Sequence, residues 1–405
     1  MTDPERPQLR VALLGATGSI GRQTVDVLAR DRRFQVVGLS AGRNTALLGE
    51  QIRALRPAIA VVAADAERGA LGDLPVGTAV DTGDQALEAL ATRPDLDLLI
   101  IATGGMVSLR PVLAALRAGT PVATANKETL VAGGHLVMPL ARGLAAARAA
   151  ADPADPLASA LGWVRPIDSE HSAIWQCLVG EEPGSVAGLI LTASGGPFLD
   201  LPADELATVT AAQALRHPTW SMGAKVTIDS ATLANKGLEV IEARWLYDVA
   251  YDAIDVVIHP QSVVHSAVRF VDGSLKAQLG TPDMRLPIQY ALTYPNRQPS
   301  PASAPDLVEI SRLDFRAPDV ARFPALRMAR DAGAIGPWAS AALIAADDVA
   351  VARFLDGTLD FPGIPRLLAA AIDRYGLRSG ALPGVDDLVA LDGEIRAAYS
   401  TGAIT

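Results

Sequence analysis

The chain has 405 residues, 50% of them hydrophobic and 20% charged, a composition typical of a globular protein with two or three domains. Its formal net charge of −10 argues against nonspecific binding to nucleic acid, and any anionic ligand therefore needs a local cluster of cations. The single cysteine, Cys177, excludes a disulfide within the chain, and residues 1–7 contain no apolar signal segment, so we expect a cytoplasmic protein.

The first predicted elements are apolar strands that alternate with helices. Strands are expected at 10–15, 35–40, 59–63, 96–102 and 121–125, and helices at 19–30 and 109–118. Continuous Val, Ile and Leu strands that alternate with helices predict a parallel, doubly wound α/β sheet. We assign this domain to 1–150 and interpret 147–160, which is rich in Ala, Asp and Pro, as a crossover or linker.

A second α/β domain is expected at 151–297. Its predicted strands are 163–168, 188–193, 254–258, 267–271 and 276–279, with a helix at 231–247. Segment 298–312 is a connection, and 313–405 has helical periodicity with breaks at 336–337, 361–363 and 383–384, which predicts a small helical bundle. The longest apolar run, near 333–346, contains Pro337 and is too short to cross a bilayer, so no membrane association is expected.

A glycine-rich turn at 15–21 predicts a dinucleotide site. It reads Gly-Ala-Thr-Gly-Ser-Ile-Gly, follows the first strand and opens the first helix, where glycines let the backbone approach a pyrophosphate. An NAD enzyme usually has an acid at the end of the second strand, but this chain has Gly42-Arg43-Asn44. A guanidinium suits a 2′-phosphate, so NADP(H) is favoured, although Arg43 alone could be an ordinary solvated side chain.

Three carboxylates are candidates for a divalent cation. Asp168 and Glu170 are two residues apart at the end of a predicted strand, where extended backbone would place them on one face. Glu239 is a possible third ligand, and hard cations such as Mg²⁺ or Mn²⁺ prefer oxygen. The alternatives are that Asp168 caps a helix and that Glu239 pairs with Lys236 or Arg244.

Segment 217–239 is dense in polar side chains and predicts a phosphate site. Ser194, in a Gly-rich turn after a strand, and Lys127, at the last strand end of the first domain, are further candidates. His217 is placed on a mobile lid at 216–225. His259 could instead be a core histidine, and Cys177 is expected to be buried in a helix.

With these residues laid out, the chain resembles the 1-deoxy-D-xylulose 5-phosphate reductoisomerase family over nearly its whole length. The motifs that show it are 15–21, Gly42-Arg43-Asn44, Asn126-Lys127-Glu128, 168–171, 194–198, 217–223, 229–242 and 259–262. Two positions depart from the family pattern, because Arg43 stands where Lys is common and Thr219 where Asn is common. The resemblance implies an N-terminal Rossmann-like NADPH domain, a central catalytic and dimer-forming domain, and a C-terminal helical bundle.

The resemblance also implies roles for individual residues. The implied metal ligands are Asp168, Glu170 and Glu239, for Mg²⁺ or Mn²⁺ with Co²⁺ possible. The implied cofactor contacts are Thr17, Gly18, Ser19, Ile20, Gly42, Arg43, Asn44, Asn126, Glu128 and Gly223. The implied substrate contacts are Lys127, Ser169, Glu170, Ser194, His217, Ser230, Asn235, Lys236 and Glu239. Lys127, Asp168, Glu170, His217 and Glu239 are the expected catalytic residues.

The activity that the resemblance implies is conversion of 1-deoxy-D-xylulose 5-phosphate to 2-C-methyl-D-erythritol 4-phosphate with NADPH, in non-mevalonate isoprenoid precursor biosynthesis, by a homodimer. A semialdehyde dehydrogenase that acts through a thioester is an alternative, but it needs an exposed nucleophilic cysteine, and Cys177 lies in a helix-like run. An NADPH-sensing regulator is a second alternative, and it would not need the three carboxylates.

Overall fold

A computed structural model describes residues 8–378 and 380–402 of the chain. Residues 1–7, on which the expectation of no signal segment rests, and the last residues of the predicted C-terminal domain lie outside the described residues. The described chain forms two compact units. The first contains the residues up to Asn126, Leu136–Asp168 and Met284–Ala302, and the second contains Lys127–His135, Ser169–Asp283 and the residues from Ser303 onward.

The strands form two sheets. In chain order they are β1 (Leu9–Leu14), β2 (Phe34–Ala41), β3 (Ile59–Val62), β4 (Ala79–Thr82), β5 (Leu98–Ile101), β6 (Val122–Thr124), β7 (Val164–Pro166), β8 (Val186–Ala193), β9 (Ile254–Ile258), β10 (Val264–Phe270) and β11 (Leu275–Leu279).

The helices lie between and after these strands. They are α1 (Ser19–Arg30), α2 (Thr45–Leu55), α3 (Gly83–Ala91), α4 (Leu109–Arg117), α5 (Lys127–Ala151), α6 (Ala160–Trp163), α7 (Ser169–Leu178), α8 (Ala211–Ala214), α9 (Ala224–Thr232), α10 (Ala234–Tyr247), α11 (Arg285–Thr293), α12 (Leu307–Ile310), α13 (Ala325–Ile335), α14 (Pro337–Leu355), α15 (Gly363–Tyr375) and α16 (Val385–Tyr399).

The first unit is built on a parallel seven-stranded sheet with the order β4-β3-β2-β1-β5-β6-β7. Strands β1 and β5 lie at its centre with Leu13 opposite Ile100, and both side chains are fully buried. Because helices cover both faces of such a sheet, its central strands are apolar throughout, and the predicted doubly wound fold is confirmed. Strand β4 was not predicted, since it is a short edge strand whose residues alternate between exposed and partly buried.

The sequence placed a strand at 163–168 in the second α/β domain, and this was wrong. The shorter strand β7 extends the first sheet, pairing in parallel with β6 through Val122 and Val164. The predicted linker at 147–160 was also partly wrong, because α5 continues to Ala151 and α6 begins at Ala160. Helix α5 is long and apolar enough to cross a membrane by length and composition alone, but half of that stretch is buried, as in the core helix of a folded domain.

The second unit contains the four-stranded sheet, with the order β11-β10-β8-β9. Strand β9 runs parallel to β8, while β10 is antiparallel to both β8 and β11. The helix predicted at 231–247 is interrupted, because Leu233 has a φ of 60° and separates α9 from α10. The C-terminal helices confirm the predicted breaks, since α14 begins at Pro337, α15 at Gly363 and α16 at Val385.

Candidate active site

The predicted dinucleotide turn connects β1 to α1 in the first unit. Gly15 has a φ of +84°, and a Cβ there would lie 2.6 Å from the carbonyl oxygen of Ala102. A Cβ at Gly21 would lie 2.1 Å from the carbonyl oxygen of Gly15. Gly18 occupies the N-cap of α1 and has no side chain to accept hydrogen bonds from its first turn. The packing of the turn itself therefore requires glycine at 15 and 21, and the uncapped first turn of α1 has N–H groups that can bind a phosphate, as a dinucleotide requires.

Two residues that hold this turn in place were not predicted. The backbone N–H groups of Gly15 and Ala16 donate to the carbonyl of Ser40, at 3.1 and 2.8 Å, and the buried Gln51 amide donates to the carbonyl of Ala16 at 2.9 Å. These partners are 24 or more positions away in the sequence, and no local motif marks them. The turn is thus fixed from the β2–α2 side of the sheet.

The loop after β2 contains the residues that favour NADP(H). Gly42, Arg43 and Asn44 are all exposed, and a Cβ at Gly42 would meet no atom within 4 Å. The Asn44 side chain accepts a hydrogen bond of 3.2 Å from the N–H of Leu47 and so caps α2. Arg43 therefore lies immediately before the capping residue of α2, and its side chain is exposed.

Asn126 is buried after β6 and fixes a neighbouring loop. Its side-chain amide donates to the carbonyl of Thr103 at 2.9 Å and to that of Gly105 at 2.8 Å. The loop at 103–105 follows β5, at the same carboxyl edge of the sheet as the glycine turn. Asn126 thus shapes the edge of the sheet where ligands of doubly wound folds bind.

The three predicted metal ligands come together. One oxygen from each of Asp168, Glu170 and Glu239 lies within 4.8 Å of the others. Only Ser169 separates Asp168 from Glu170 in the sequence. The expectation that these two carboxylates share one face of an extended strand was wrong, because β7 ends at Pro166 and Glu170 lies in the first turn of α7.

Two buried lysines pair with two of these three carboxylates, Glu170 and Glu239. The ammonium of Lys127, in the first turn of α5, lies 2.6 Å from the Asn235 side-chain oxygen and 3.1 Å from Glu239 Oε1. The ammonium of Lys236 lies 2.8 Å from Glu170 Oε1 and also binds Glu239 Oε2. Burial opposes the charge of Lys236, but Glu170 and Glu239 outweigh it and raise the pKa of the ammonium.

Glu239 pairs with Lys236, which was the alternative to a metal ligand, and it also contacts Asn235. The Asn235 side-chain amide donates to Glu239 Oε1, one turn along α10. The Glu239 side chain is only 1% exposed, so its charge must be matched locally. Next to it, the Ser169 hydroxyl donates to Glu170 Oε2 at 2.5 Å. Ser169 thus lies in direct contact with the carboxylate group.

Ser194 and His217 form a second part of the site. Two backbone N–H groups, of Thr219 and Trp220, donate to His217 Nδ1 at 3.2 and 2.9 Å, so the ring hydrogen is on Nε2. Nε2 then donates to the Ser194 hydroxyl oxygen at 2.9 Å. That oxygen also accepts from the N–H of Gly196 at 3.2 Å, which leaves the hydroxyl hydrogen of Ser194 to donate to an oxyanion.

The turn after Ser194 packs tightly against Ser230. Gly196 has a φ of +70°, and a Cβ there would lie 2.7 Å from the carbonyl oxygen of Ser230. The guanidinium of Arg322, which was not predicted, donates to the carbonyls of Leu199 and Leu201 in the same loop. The backbone of Ser230 thus lies against the turn that follows Ser194, although the two serines are 36 residues apart in the sequence.

The predicted lid at 216–225 is too long by two residues. Residues up to Gly223 are outside helices, but α9 begins at Ala224 and includes Lys225. Trp220 is partly buried, with its ring 5.9 Å from that of His265. Thr219, the position that departs from the family pattern, uses its N–H to orient His217.

Two other residues have structural positions. His259 is buried, with Nδ1 2.8 Å from the carbonyl of Asp314 and its ring stacked on Phe315, so it is a core histidine as the alternative proposed. Cys177 is buried in α7, as expected.

The parallel seven-stranded sheet, with a glycine turn after its first strand, is the architecture of dinucleotide-dependent oxidoreductases. Family models agree with a narrower assignment. The model for 1-deoxy-D-xylulose 5-phosphate reductoisomerase matches residues 11–134, and models for two C-terminal domains of that enzyme match 164–247 and 279–398.

Relatives and solved structures point the same way. The 1-deoxy-D-xylulose 5-phosphate reductoisomerase of Pelotomaculum thermopropionicum is 48% identical over 386 residues, which cover 94% of this chain and 95% of the relative. The structure of the Zymomonas mobilis enzyme with NADPH covers 98% of both chains, with 37% identity and a TM-score of 0.84. A structure of DOX-P reductoisomerase with NADPH, fosmidomycin and magnesium covers 97% of both chains, with 34% identity and a TM-score of 0.87. The chain belongs to the 1-deoxy-D-xylulose 5-phosphate reductoisomerase family.

Proposed function

We propose that this chain converts 1-deoxy-D-xylulose 5-phosphate to 2-C-methyl-D-erythritol 4-phosphate, a step of non-mevalonate isoprenoid precursor biosynthesis. It is an NADP-dependent oxidoreductase whose reaction combines rearrangement of the carbon skeleton with reduction of the resulting aldehyde. The observation that supports this most strongly is the group of Asp168, Glu170 and Glu239 with oxygens within 4.8 Å of one another, in a chain that also has a dinucleotide turn.

The carboxylate group fits a hard divalent cation. It offers three oxygen ligands, and Mg²⁺ and Mn²⁺ both prefer oxygen. We propose magnesium or manganese as the resident metal, with Co²⁺ as a further possibility. When bound, such a cation polarises oxygen atoms of the substrate and stabilises negative charge that develops on them. Glu239 and Glu170 hold their orientation through Asn235, Lys127 and Lys236.

Lys127 is proposed to supply positive charge beside the reacting carbon atoms. Its ammonium is held between the Asn235 oxygen and Glu239 by contacts of 2.6 and 3.1 Å, so its position is fixed before substrate arrives. A cation that is already oriented stabilises developing negative charge without reorganisation. Ser169, through its contact with Glu170, is proposed to bind a substrate hydroxyl on the same side.

The substrate phosphate is proposed to bind at Ser194, Ser230, Asn235 and Lys236, with His217. The free hydroxyl hydrogen of Ser194 and the packing of its turn against Ser230 support this assignment. His217 acts as a neutral donor there, because burial lowers its pKa to about 4. Binding of the remote phosphate then places the reacting part of the substrate at the carboxylates, so that binding energy is used for positioning.

NADPH is proposed to contact the glycine turn, the loop after β2 and the segments at 126–128 and 223. The close approach of backbone at Gly15 and Gly21 and the exposed Arg43 support this. The proposed residues are Thr17, Gly18, Ser19, Ile20, Gly42, Arg43, Asn44, Asn126, Glu128 and Gly223. Segment 216–223 is proposed as a lid that excludes water from the intermediate aldehyde.

The domain assignment is likewise a proposal. It gives an NADPH-binding domain at 1–150, a catalytic and dimer-forming domain at 151–297, a connection at 298–312 and a helical domain at 313–405, except that β7 (Val164–Pro166) belongs to the sheet of the first domain. A cytoplasmic homodimer is the expected form. Sedimentation of the purified protein at two concentrations tests the dimer, and a monomer at both would contradict it.

The decisive assay follows NADPH oxidation with 1-deoxy-D-xylulose 5-phosphate, with and without divalent metal. We expect turnover only with metal, and turnover that is unaffected by a chelator would contradict the proposal. The thioester alternative is not favoured, since the side chain of Cys177 is buried in α7. The regulator alternative predicts cofactor binding with no turnover under either condition.

A further inference from the structure

A second, largely buried ionic cluster lies in the second unit, and it is separate from the carboxylate group that would hold the metal. Its centre is the ammonium of Lys225, which lies 2.8 Å from Asp229 Oδ2 and 2.6 Å from Asp347 Oδ2. Asp348 and Glu128 are close behind, with carboxylate oxygens 3.6 and 3.9 Å from the same nitrogen. We call these five residues the Lys225 cluster.

The Lys225 cluster joins three helices. Lys225 and Asp229 belong to α9, Glu128 to the first turn of α5, and Asp347 and Asp348 to α14. Arg396 of α16 extends the network, because its guanidinium lies 2.6 Å from Asp348. The partners of Lys225 in α14, Asp347 and Asp348, are 122 and 123 positions away in the sequence, so only the tertiary structure brings them to Lys225.

Two of these helices contain residues of the proposed site directly next to cluster members. Lys127 precedes Glu128 at the start of α5, and Ser230 follows Asp229 in α9. Lys225 also comes two residues after Gly223, where the proposed lid ends. A shift of Lys225 relative to α14 would therefore move Lys127 and Ser230 together.

The cluster contains more negative than positive charge. Asp229 and Asp347, whose side chains are 2% and 1% exposed, each give one oxygen to Lys225, and the other oxygen of each has no hydrogen-bond partner among the described residues. Burial and the neighbouring Asp347 raise the pKa of Asp229, and the surrounding carboxylates outweigh burial to raise the pKa of Lys225. A single ammonium thus holds two buried carboxylates in place.

A cation site is a weaker interpretation of the cluster. Within the described residues, groups of three ligand atoms that lie within 4.8 Å of one another occur only around Asp168, and they include no member of the Lys225 cluster. The carboxylates surround the ammonium instead of a common point between them. The arrangement is that of an internal ion pair network whose cation is the lysine.

We propose that Lys225 is a positioning residue for the reaction, which ties the helices of Lys127 and Ser230 to α14 and so sets the geometry of the phosphate and charge-stabilising groups. This inference rests on the proposed function, because it assumes that Lys127 and Ser230 contact the substrate. It assigns to the C-terminal helical region a direct effect on substrate binding, through Asp347 and Asp348.

The test compares Lys225→Met with Lys225→Arg and Asp347→Asn. For Lys225→Met we expect the KM for 1-deoxy-D-xylulose 5-phosphate to rise at least tenfold and the affinity for inorganic phosphate, measured by calorimetry, to fall similarly. Lys225→Arg should keep both within about threefold, because the guanidinium can still bridge α9 and α14. Asp347→Asn, which touches no proposed substrate contact, should raise the KM in the same direction by a smaller factor.

Matched controls separate this effect from a loss of stability. Lys276→Met removes an exposed lysine that pairs with Glu181 at 2.7 Å, and Asp360→Asn removes an exposed aspartate that pairs with Arg366 at 2.7 Å. Both should leave KM and phosphate affinity unchanged. A stability change in Lys225→Met or Asp347→Asn without any change in KM or phosphate affinity would overturn the proposal. If Lys225→Met does not fold, the KM and the phosphate affinity of Asp347→Asn alone decide whether the proposal holds. Wild-type protein without turnover would refute the proposed function instead.

Discussion

The Nε2 atom of His217 lies 2.9 Å from the hydroxyl oxygen of Ser194, and its Nδ1 accepts two backbone N–H groups. The hydrogen bonds that Nδ1 accepts require a neutral ring, and burial lowers the pKa of His217 from 6.5 to about 4. Below pH 6.5 the unfolded chain therefore takes up a proton that the folded chain does not, so stability falls as the pH drops towards 4.

The prediction is that His217 stays neutral in the folded protein at pH 5.5. Imidazole resonances assigned with a His217→Gln variant should show a midpoint near 4, and urea unfolding should lose less stability between pH 7 and 4.5 in the variant than in the wild type. His265 and His135 also have lowered pKa values because they are buried, so only the difference between the two proteins is informative. A His217 midpoint near 6.5 would contradict the tautomer derived from the contacts.

Arg43 is predicted to select NADPH over NADH. Arg43→Ala should weaken NADPH binding by about 1.5–3 kcal/mol, the value of a lost charged hydrogen bond, and leave NADH nearly unchanged. Fluorescence titration with both cofactors measures this. Arg117→Ala, an exposed arginine at the end of α4, is the control. An equal loss for both cofactors would remove Arg43 from the 2′-phosphate site.

Glu170 is predicted to be a metal ligand. Glu170→Gln should keep the fold, because Lys236 retains Glu239 as a partner, with a cost of about 1–3 kcal/mol for the lost ionic hydrogen bond. Its affinity for Mg²⁺ or Mn²⁺ should fall about 100-fold or more, since even residues that only support a ligand change affinity by 10–100-fold. Calorimetric titration of the protein with each metal gives the result, with the exposed Glu50→Gln as control. An unchanged titration would exclude Glu170 from the metal site.

The lid is predicted to respond to the phosphate. Trypsin should cut after Arg216 in the free protein and more slowly with saturating substrate, whereas the dephosphorylated analogue should give no protection. Lys225 should resist cleavage in both states, because it lies in α9 with its ammonium held by Asp229 and Asp347. If saturating substrate does not slow cleavage after Arg216, segment 216–223 does not act as a lid.

The parts of the fold that the sequence predicted correctly are those specified by local signals. Helix α1 occupies the predicted residues, because the glycine turn, the end of an apolar strand and the helical period coincide at Ser19. The breaks in the C-terminal region follow Gly and Pro pairs for the same reason. The edge strand β4 and the interruption at Leu233, a non-glycine residue at positive φ, have no such signal.

The candidate site shows the same division. The structure brings the predicted carboxylates and lysines together, yet Asp168 and Glu170 meet across a strand–helix junction, not on the extended strand that the spacing suggested. The sequence assigned Lys225 to a mobile lid, because no local motif indicated that it has a partner in α14. That partner, Asp347, lies 122 positions away, and only the tertiary structure brings the two residues together. Local motifs predict which residues act, whereas distant pairings decide how they are held.

The protein is proposed to carry out a rearrangement and a reduction in one active site. The most direct test incubates the protein with isotopically labelled 1-deoxy-D-xylulose 5-phosphate, NADPH and Mg²⁺, and identifies the product by NMR. We expect one NADPH to be oxidised per substrate consumed and a branched product, 2-C-methyl-D-erythritol 4-phosphate. A product that is reduced but keeps the unbranched carbon skeleton would show that the protein is a simple ketone reductase and would contradict the proposed function.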